Sequence, residues 1–255
     1  MTQPTARSPE ADAFIEARQH ISPEVVSACS GWTAHEVTAH LTGIAVEISH
    51  HLLPYLAGEP VPKTRSFEER ESPLQAMHDD ELCQRLESEE QHARLLLDQA
   101  LAQDPGAVIE WTGRQMAIEK FWPHLRNEFA IHRWDLIGDD DIGTELLGQS
   151  DLTEHSVGVL GEILTRRGRQ HDPAPDDDLH VRLRSGSTPD VRLVAEGRSA
   201  FLEIADPNDD EPRIDLDAAA RLLVIWGRRP DRRGRVLSAV GQPTLARVQT
   251  LLSGY

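Results

Sequence analysis

The chain has 255 residues and 43 acidic side chains against 26 basic ones, a formal charge of −17. That length supports one large core or two ordinary ones, and 39% hydrophobic with 27% charged residues reads as globular, not disordered or fibrous. The charge excludes a general nucleic-acid binder, which needs a basic face to neutralise phosphates, and it argues against docking on anionic membrane.

The first two thirds read as helices. Pro9 to His20 forms a short one with Phe14 and Ile15 for the core. A turn at Cys29-Ser30-Gly31-Trp32 leads to Thr33, and Glu36 three residues later completes a capping-box signal. The helix it starts carries Val37, Leu41, Ile44, Ile48, Leu52 and Leu53 at spacings of three and four, and is expected to close at Pro54 and Gly58. A loop is expected from Glu59 to Pro73. A third helix follows over about Asp79 to Gln103, then a small hairpin or extended loop around Val108–Trp111 and Met116–Ile118. A fourth helix spans about Glu119 to Ile137, and a fifth about Asp151 to Arg167. Long helices joined by loops suggest a bundle.

The stretch His171–Asp178 has the Pro- and Asp-rich composition of a linker. Beyond it the apolar period becomes two: Leu179, Val181 and Leu183 alternate with polar residues, as do Val191, Leu193 and Ala195, and Phe201–Ile204 reads as a third strand. Helices return at about Leu216–Trp226 and Pro243–Leu252. The expected organisation is a helical domain over 1–170 and a smaller α+β domain over 178–255, an α+β chain overall. Charge supports the division. Residues 178–255 hold 12 Arg against 11 acidic residues, so nearly all the negative charge lies before them.

Two cysteines, Cys29 and Cys83, make neither a disulfide framework nor a zinc cluster. The N-terminus lacks the apolar run of a signal peptide, and no apolar run approaches the ~20 residues of a membrane helix. The expectation is a soluble cytoplasmic protein. Of the 26 basic residues only Lys63 and Lys120 are lysines, a bias that points to a GC-rich genome.

Chemistry concentrates in the fourth helix. Glu128 and His132 are four residues apart, so a carboxylate and an imidazole share one helix face and can hold one metal ion. Asp135, one turn on, can accept the second ring N–H of His132. His40 lies mid-way along the capped helix among core-like residues, where it is either a satisfied half-buried histidine or a third ligand. Three protein ligands and an open position are the pattern of catalytic zinc. His124 is a possible fourth ligand or entry-side residue, and Glu47 a possible outer partner of His40. Glu36 is explained by the cap, and His50-His51 by proximity to a helix end. In the last third, an apolar helix ends in Trp226-Gly227-Arg228-Arg229. That is either charge matching at a helix end or a carboxylate clamp, for which the planar guanidinium is suited.

Gly31-Trp32-Thr33 with Ala39-His40-Leu41, then Arg126-x-Glu128-x-x-x-His132-Arg133-Trp134-Asp135, then Trp226-Gly227-Arg228, together resemble the mycothiol-dependent maleylpyruvate isomerase family. The resemblance implies a DinB-like up-down four-helix bundle followed by a small α+β domain similar to sterol carrier protein. It implies His40, Glu128 and His132 as metal ligands, and it adds the pairing of His40 with the distant Glu128 and His132. It places the family's C-terminal arginine at Arg228, with Arg229 adjacent. The implied cofactors are a divalent metal, zinc in the usual case, and mycothiol or another low-molecular-weight thiol, in keeping with an actinobacterial source. The implied reaction is addition of a metal-activated thiolate to a conjugated cis double bond, rotation and expulsion, with Arg228 holding a substrate carboxylate. The partner is then a small anionic or electrophilic molecule. The alternatives are thiol S-transfer onto an electrophile, in detoxification or secondary metabolism, and a non-catalytic metal-binding or regulatory module.

Overall fold

The structure is a computed structural model, described here over residues 6–186, 188–206, 211–230, 235–238 and 240–253. The chain forms two compact units that divide between Ile137 and Gly138.

The first unit holds helices α1 (Pro9–Arg18), α2 (Ala34–Leu56), α3 (Phe67–Gln75) and α4 (Asp79–Gln103). A hairpin of β1 (Val108–Trp111) and β2 (Arg114–Ala117) follows, then a 3-10 turn and α5 (Phe121–Ile137). The expected capping box is present: the Thr33 hydroxyl accepts from the Glu36 amide, and the Glu36 carboxylate accepts from the Thr33 amide at 2.7 Å. The apolar stripe of α2, Val37, Leu41, Ile44, Ile48 and Leu52, is buried. At roughly 1.5–3 kcal/mol for each buried aliphatic side chain, this stripe is a main source of the bundle's stability. It packs chiefly on α4, while α1 packs on α5. Pro54 does not end α2, which continues to Leu56 and stops where Gly58 turns back at φ 71°.

Helix α3 lies inside the segment expected to be a loop. Its signal is a second capping box: Ser66 and Glu69 bond reciprocally as Thr33 and Glu36 do. Pro73 sits within its last turn, and the surrounding prolines mask the pattern.

The second unit holds α6 (Asp141–Leu147), α7 (Ser150–Arg169), β3 (Leu179–Ser185), β4 (Thr188–Glu196), β5 (Ser199–Ala205), β6 (Arg213–Leu216), α8 (Ala218–Ile225), β7 (Val236–Ser238) and α9 (Gln242–Leu251). The sheet runs in the order β5-β4-β3-β6-β7. β6 lies parallel to β3 and every other pair is antiparallel. The period-two reading holds for Val181, Leu183, Val191 and Leu193, all buried. Arg182, expected on the solvent face, is buried beside Asp190 and Glu211 at 3.1 and 2.7 Å.

The expected boundary at residues 170–178 is displaced. Helix α7 belongs with the sheet, because its stripe of Leu152, Leu160 and Leu164 is buried while it packs on β5, α8 and α9. Thr165 donates to the Ala200 carbonyl, and the Trp226 indole donates to Ser156 at 2.9 Å. Glycines permit the approach. A Cβ at Gly161 would lie 2.8 Å from the Leu202 carbonyl oxygen, and one at Gly168 would lie 2.2 Å from that of Thr250. No helix among the described residues is long and apolar enough to cross a membrane.

Gly168→Ala is therefore expected to destabilise the protein by roughly 1–3 kcal/mol through overpacking against backbone. Gly158→Ala, on the exposed side of the same helix with open space around it, is expected to be neutral or stabilising by up to about 1 kcal/mol. Denaturant unfolding of the two variants measures both.

Candidate metal centre

Glu128 and His132 stand one turn apart on the buried face of α5, both almost inaccessible to solvent. His132 Nε2 lies 3.5 Å from Glu128 Oε2. Helix α2 packs beside α5 and brings His40 Nε2 to 3.7 Å from the same oxygen. Among the described residues, these three offer ligand atoms that all lie within 4.8 Å of one another. The separations are too long for hydrogen bonds. They suit donors sharing one ion, since ligands about 2.0–2.1 Å from a tetrahedral zinc stand about 3.3–3.5 Å apart.

Both imidazoles are oriented from behind. The Asp135 carboxylate accepts from His132 Nδ1 at 2.8 Å, as the i, i+3 spacing suggests. Glu71 of α3, a residue the sequence reading leaves in a loop, accepts from His40 Nδ1 at 2.8 Å. Each bond commits Nδ1 and turns Nε2 toward Glu128, the arrangement by which outer carboxylates fix metal-binding histidines. Gly43 makes room for Glu71: a Cβ there would stand 3.2 Å from the Glu71 Cγ. The only sequence signal for this contact is the Ser66-Glu69 capping box, which places a helix, and hence Glu71, opposite α2.

The cluster carries its own counter-charge. Burial disfavours the His40 cation, but the Glu128 and Glu71 carboxylates outweigh it and raise the pKa to about 9. Burial likewise disfavours ionised Glu128, yet His132 and His40 hold it well below the usual carboxylate range. A carboxylate and two imidazoles with fixed tautomers, converging on one point, fit a divalent ion of the zinc type.

Around this point stand a tryptophan and several cations. Trp32 stacks over His132, with centroids 6.0 Å apart and planes at 22°, and its centroid is 4.9 Å from that of His40. His124 approaches the other Glu128 oxygen, Oε1, at 3.8 Å. It is therefore placed behind the carboxylate and is not grouped with the three ligand atoms. Burial pushes its pKa down, and the nearby Arg114 and Arg70 add to that.

The remaining sequence candidates go elsewhere. Arg126 pairs with buried Glu10 of α1 at 2.9 Å. Glu47 is not a partner of His40: it is buried and takes the Arg65 amide and guanidinium at 2.8 Å, pinning the chain ahead of α3. His51 is buried edge-on against Trp111. Neither cysteine is in a disulfide, and both are half-buried. Arg228 follows α8 in the second unit, where its guanidinium donates to the Trp226 carbonyl at 2.8 Å. With Arg229 it lines a cavity of about 190 Å³ among Ile214, Leu216, Val224 and Leu245.

Comparison with known proteins gives the family and the fold. No curated protein sequence matches the chain. A crystal structure of the mycothiol-dependent maleylpyruvate isomerase superposes with a TM-score of 0.60 at 15% identity, covering 91% of this chain and 90% of that one. A histidine-to-alanine mutant of that enzyme does so at 0.59 and 14%, with the same coverage. At these identities the likeness is one of fold. The family model for the mycothiol maleylpyruvate isomerase N-terminal domain matches residues 8–137, more than half of the chain and the segment that holds His40, Glu128 and His132. The chain belongs to the mycothiol maleylpyruvate isomerase family.

Proposed function

We propose that the protein is a metal-dependent enzyme that uses a low-molecular-weight thiol, of the mycothiol kind, to isomerise a conjugated, carboxylate-bearing substrate in the cytoplasm. The observation that carries this reading is the convergence of His40 Nε2, His132 Nε2 and Glu128 Oε2 on one point, with both Nδ1 atoms already committed.

His40, Glu128 and His132 would hold the ion, zinc by its donor set, and leave a position open. A metal held there would lower the pKa of a thiol and so make a thiolate available at neutral pH, and the reversible addition of a thiolate to a cis double bond would leave a single bond free to rotate. Asp135 and Glu71 keep the two imidazoles in the binding tautomer. Trp32 lies against both rings. Glu128, Glu71 and Asp135 together outweigh a divalent ion by one negative charge. Arg70 and Arg114, both close enough to act on His124, reverse that balance and make the surroundings tolerant of an anionic substrate. Arg228 is the group we assign to a substrate carboxylate, on the family resemblance of Trp226-Gly227-Arg228.

Purified protein exposed to Zn²⁺ is expected to hold one equivalent, and His40→Ala and His132→Ala to hold none, as read by elemental analysis after dialysis. Asp135→Asn is expected to weaken zinc roughly 10–100-fold. Full retention of metal by either histidine variant removes that residue from the site.

Metal uptake is also expected to depend on pH. Below about 9 the metal-free His40 carries a proton that an incoming ion must expel. Apparent affinity is therefore expected to rise roughly tenfold per pH unit from about 6 to 8 and to flatten near 9, as measured by competition with a chelating dye.

Maleylpyruvate incubated with mycothiol and the zinc-loaded protein is expected to convert to the trans isomer, followed by absorbance. Arg228→Ala is expected to raise KM and lower kcat/KM by about 10–100-fold, the cost of losing a charge-assisted contact. No conversion by the zinc-loaded protein overturns the proposed reaction.

A further inference from the structure

We propose that Trp32 and Phe67 form the substrate-facing wall of the metal centre and select a planar, conjugated or aromatic ligand over a saturated one of equal size. The inference rests on His40, Glu128 and His132 holding a metal, and adds what their neighbours do to its occupant.

The two rings lie side by side, with centroids 5.7 Å apart and planes at 34°. Phe67 is 6.0 Å from the His40 ring at 31°, and Trp32 contacts both ligand imidazoles. Solvent reaches the ligands from the His40 side: the His40 side chain is 15% exposed, against 5% for His132 and 3% for Glu128. Phe67 stands on that side and is itself 45% exposed. Phe67 is thus an accessible aromatic side chain next to the His40 ring, where a bound molecule could replace water.

The backbone beneath both rings is held by hydrogen bonds. Trp32 immediately precedes the α2 N-cap Thr33, and Phe67 immediately follows the α3 N-cap Ser66, so each ring is set by a capping box. Gly31 takes φ 86°, a left-handed conformation that turns the chain into Trp32. The Trp32 amide donates to Cys29 O at 3.1 Å, and its carbonyl accepts from Ser27 N at 2.8 Å. A preset aromatic surface loses little freedom on binding, so its preference for another π-face is expressed in affinity. A ligand in the open position is thereby steered to lie flat against the two rings.

The test uses the full chain loaded with Co²⁺ and two metal-binding probes that differ only in their ring, benzohydroxamate and cyclohexanecarbohydroxamate. Cobalt d–d absorption follows both metal uptake and probe binding, so the readout needs neither thiol nor turnover. The benzo-to-cyclohexyl affinity ratio is expected to be roughly two- to tenfold higher in the native protein than in Phe67→Leu, the range of one aromatic contact. Phe67→Trp, which keeps a ring, is expected to retain the native ratio, and cobalt affinity is expected to be equal in all three. An unchanged ratio in Phe67→Leu with cobalt bound overturns the wall alone. A native protein that takes up no cobalt overturns the metal reading and the wall together.

Discussion

A carboxylate buried as deeply as Glu128 must be met by positive charge, and the bundle is organised around that demand. Desolvation of an unpaired carboxylate costs several kcal/mol, and the imidazoles of His132 and His40 help to offset it. His132 comes from the same helix and His40 from α2, so the charge demand also ties two helices together. Each imidazole then needs its second nitrogen satisfied, which draws in Asp135 from α5 and Glu71 from α3. The result is a buried cluster of carboxylates and imidazoles in which the donor atoms of His40, Glu128 and His132 meet the spacing a divalent ion needs.

The parts legible in the sequence are those with local causes. The Thr33-Glu36 box, the three-four spacing of α2 and the i, i+4 and i, i+3 relations of Glu128, His132 and Asp135 are geometric consequences of a helix. The contact of His40 with Glu128 spans 88 positions and has no local cause. It was reachable only through family resemblance. Glu71 was hidden for another reason: prolines around α3 read as loop, although Ser66-Glu69 carries the same capping pattern as Thr33-Glu36. The domain boundary was misplaced because the linker-like composition of 171–178 marks a surface loop within the second unit. The cause that assigns α7 to the sheet, close backbone approach at Gly161 and Gly168, is not a compositional one.

The second unit shows how one residue type serves unlike ends. Arg182 and Arg221 are buried and spent on the fold, Arg182 on Asp190 and Glu211, and Arg221 on the Pro189 carbonyl and the Thr188 hydroxyl. Arg228, only partly buried, lines a cavity. The near-neutral charge of residues 178–255 therefore conceals an unequal division: several of their arginines are internal scaffolding, and those left facing solvent carry most of their capacity to meet an anion.

The contact through Gly43 has a consequence for how such a centre can diverge. One of the two outer carboxylates reaches its histidine from a short helix held on a tether, residues 57–66, and anchored ahead of the helix by Glu47 and Arg65. Changes in the length or stiffness of that tether would shift α3, and with it the hold of Glu71 on His40, without altering His40, Glu128 or His132. Lineages could thus retune the orientation of His40 by editing a surface segment, leaving the three convergent residues as they are.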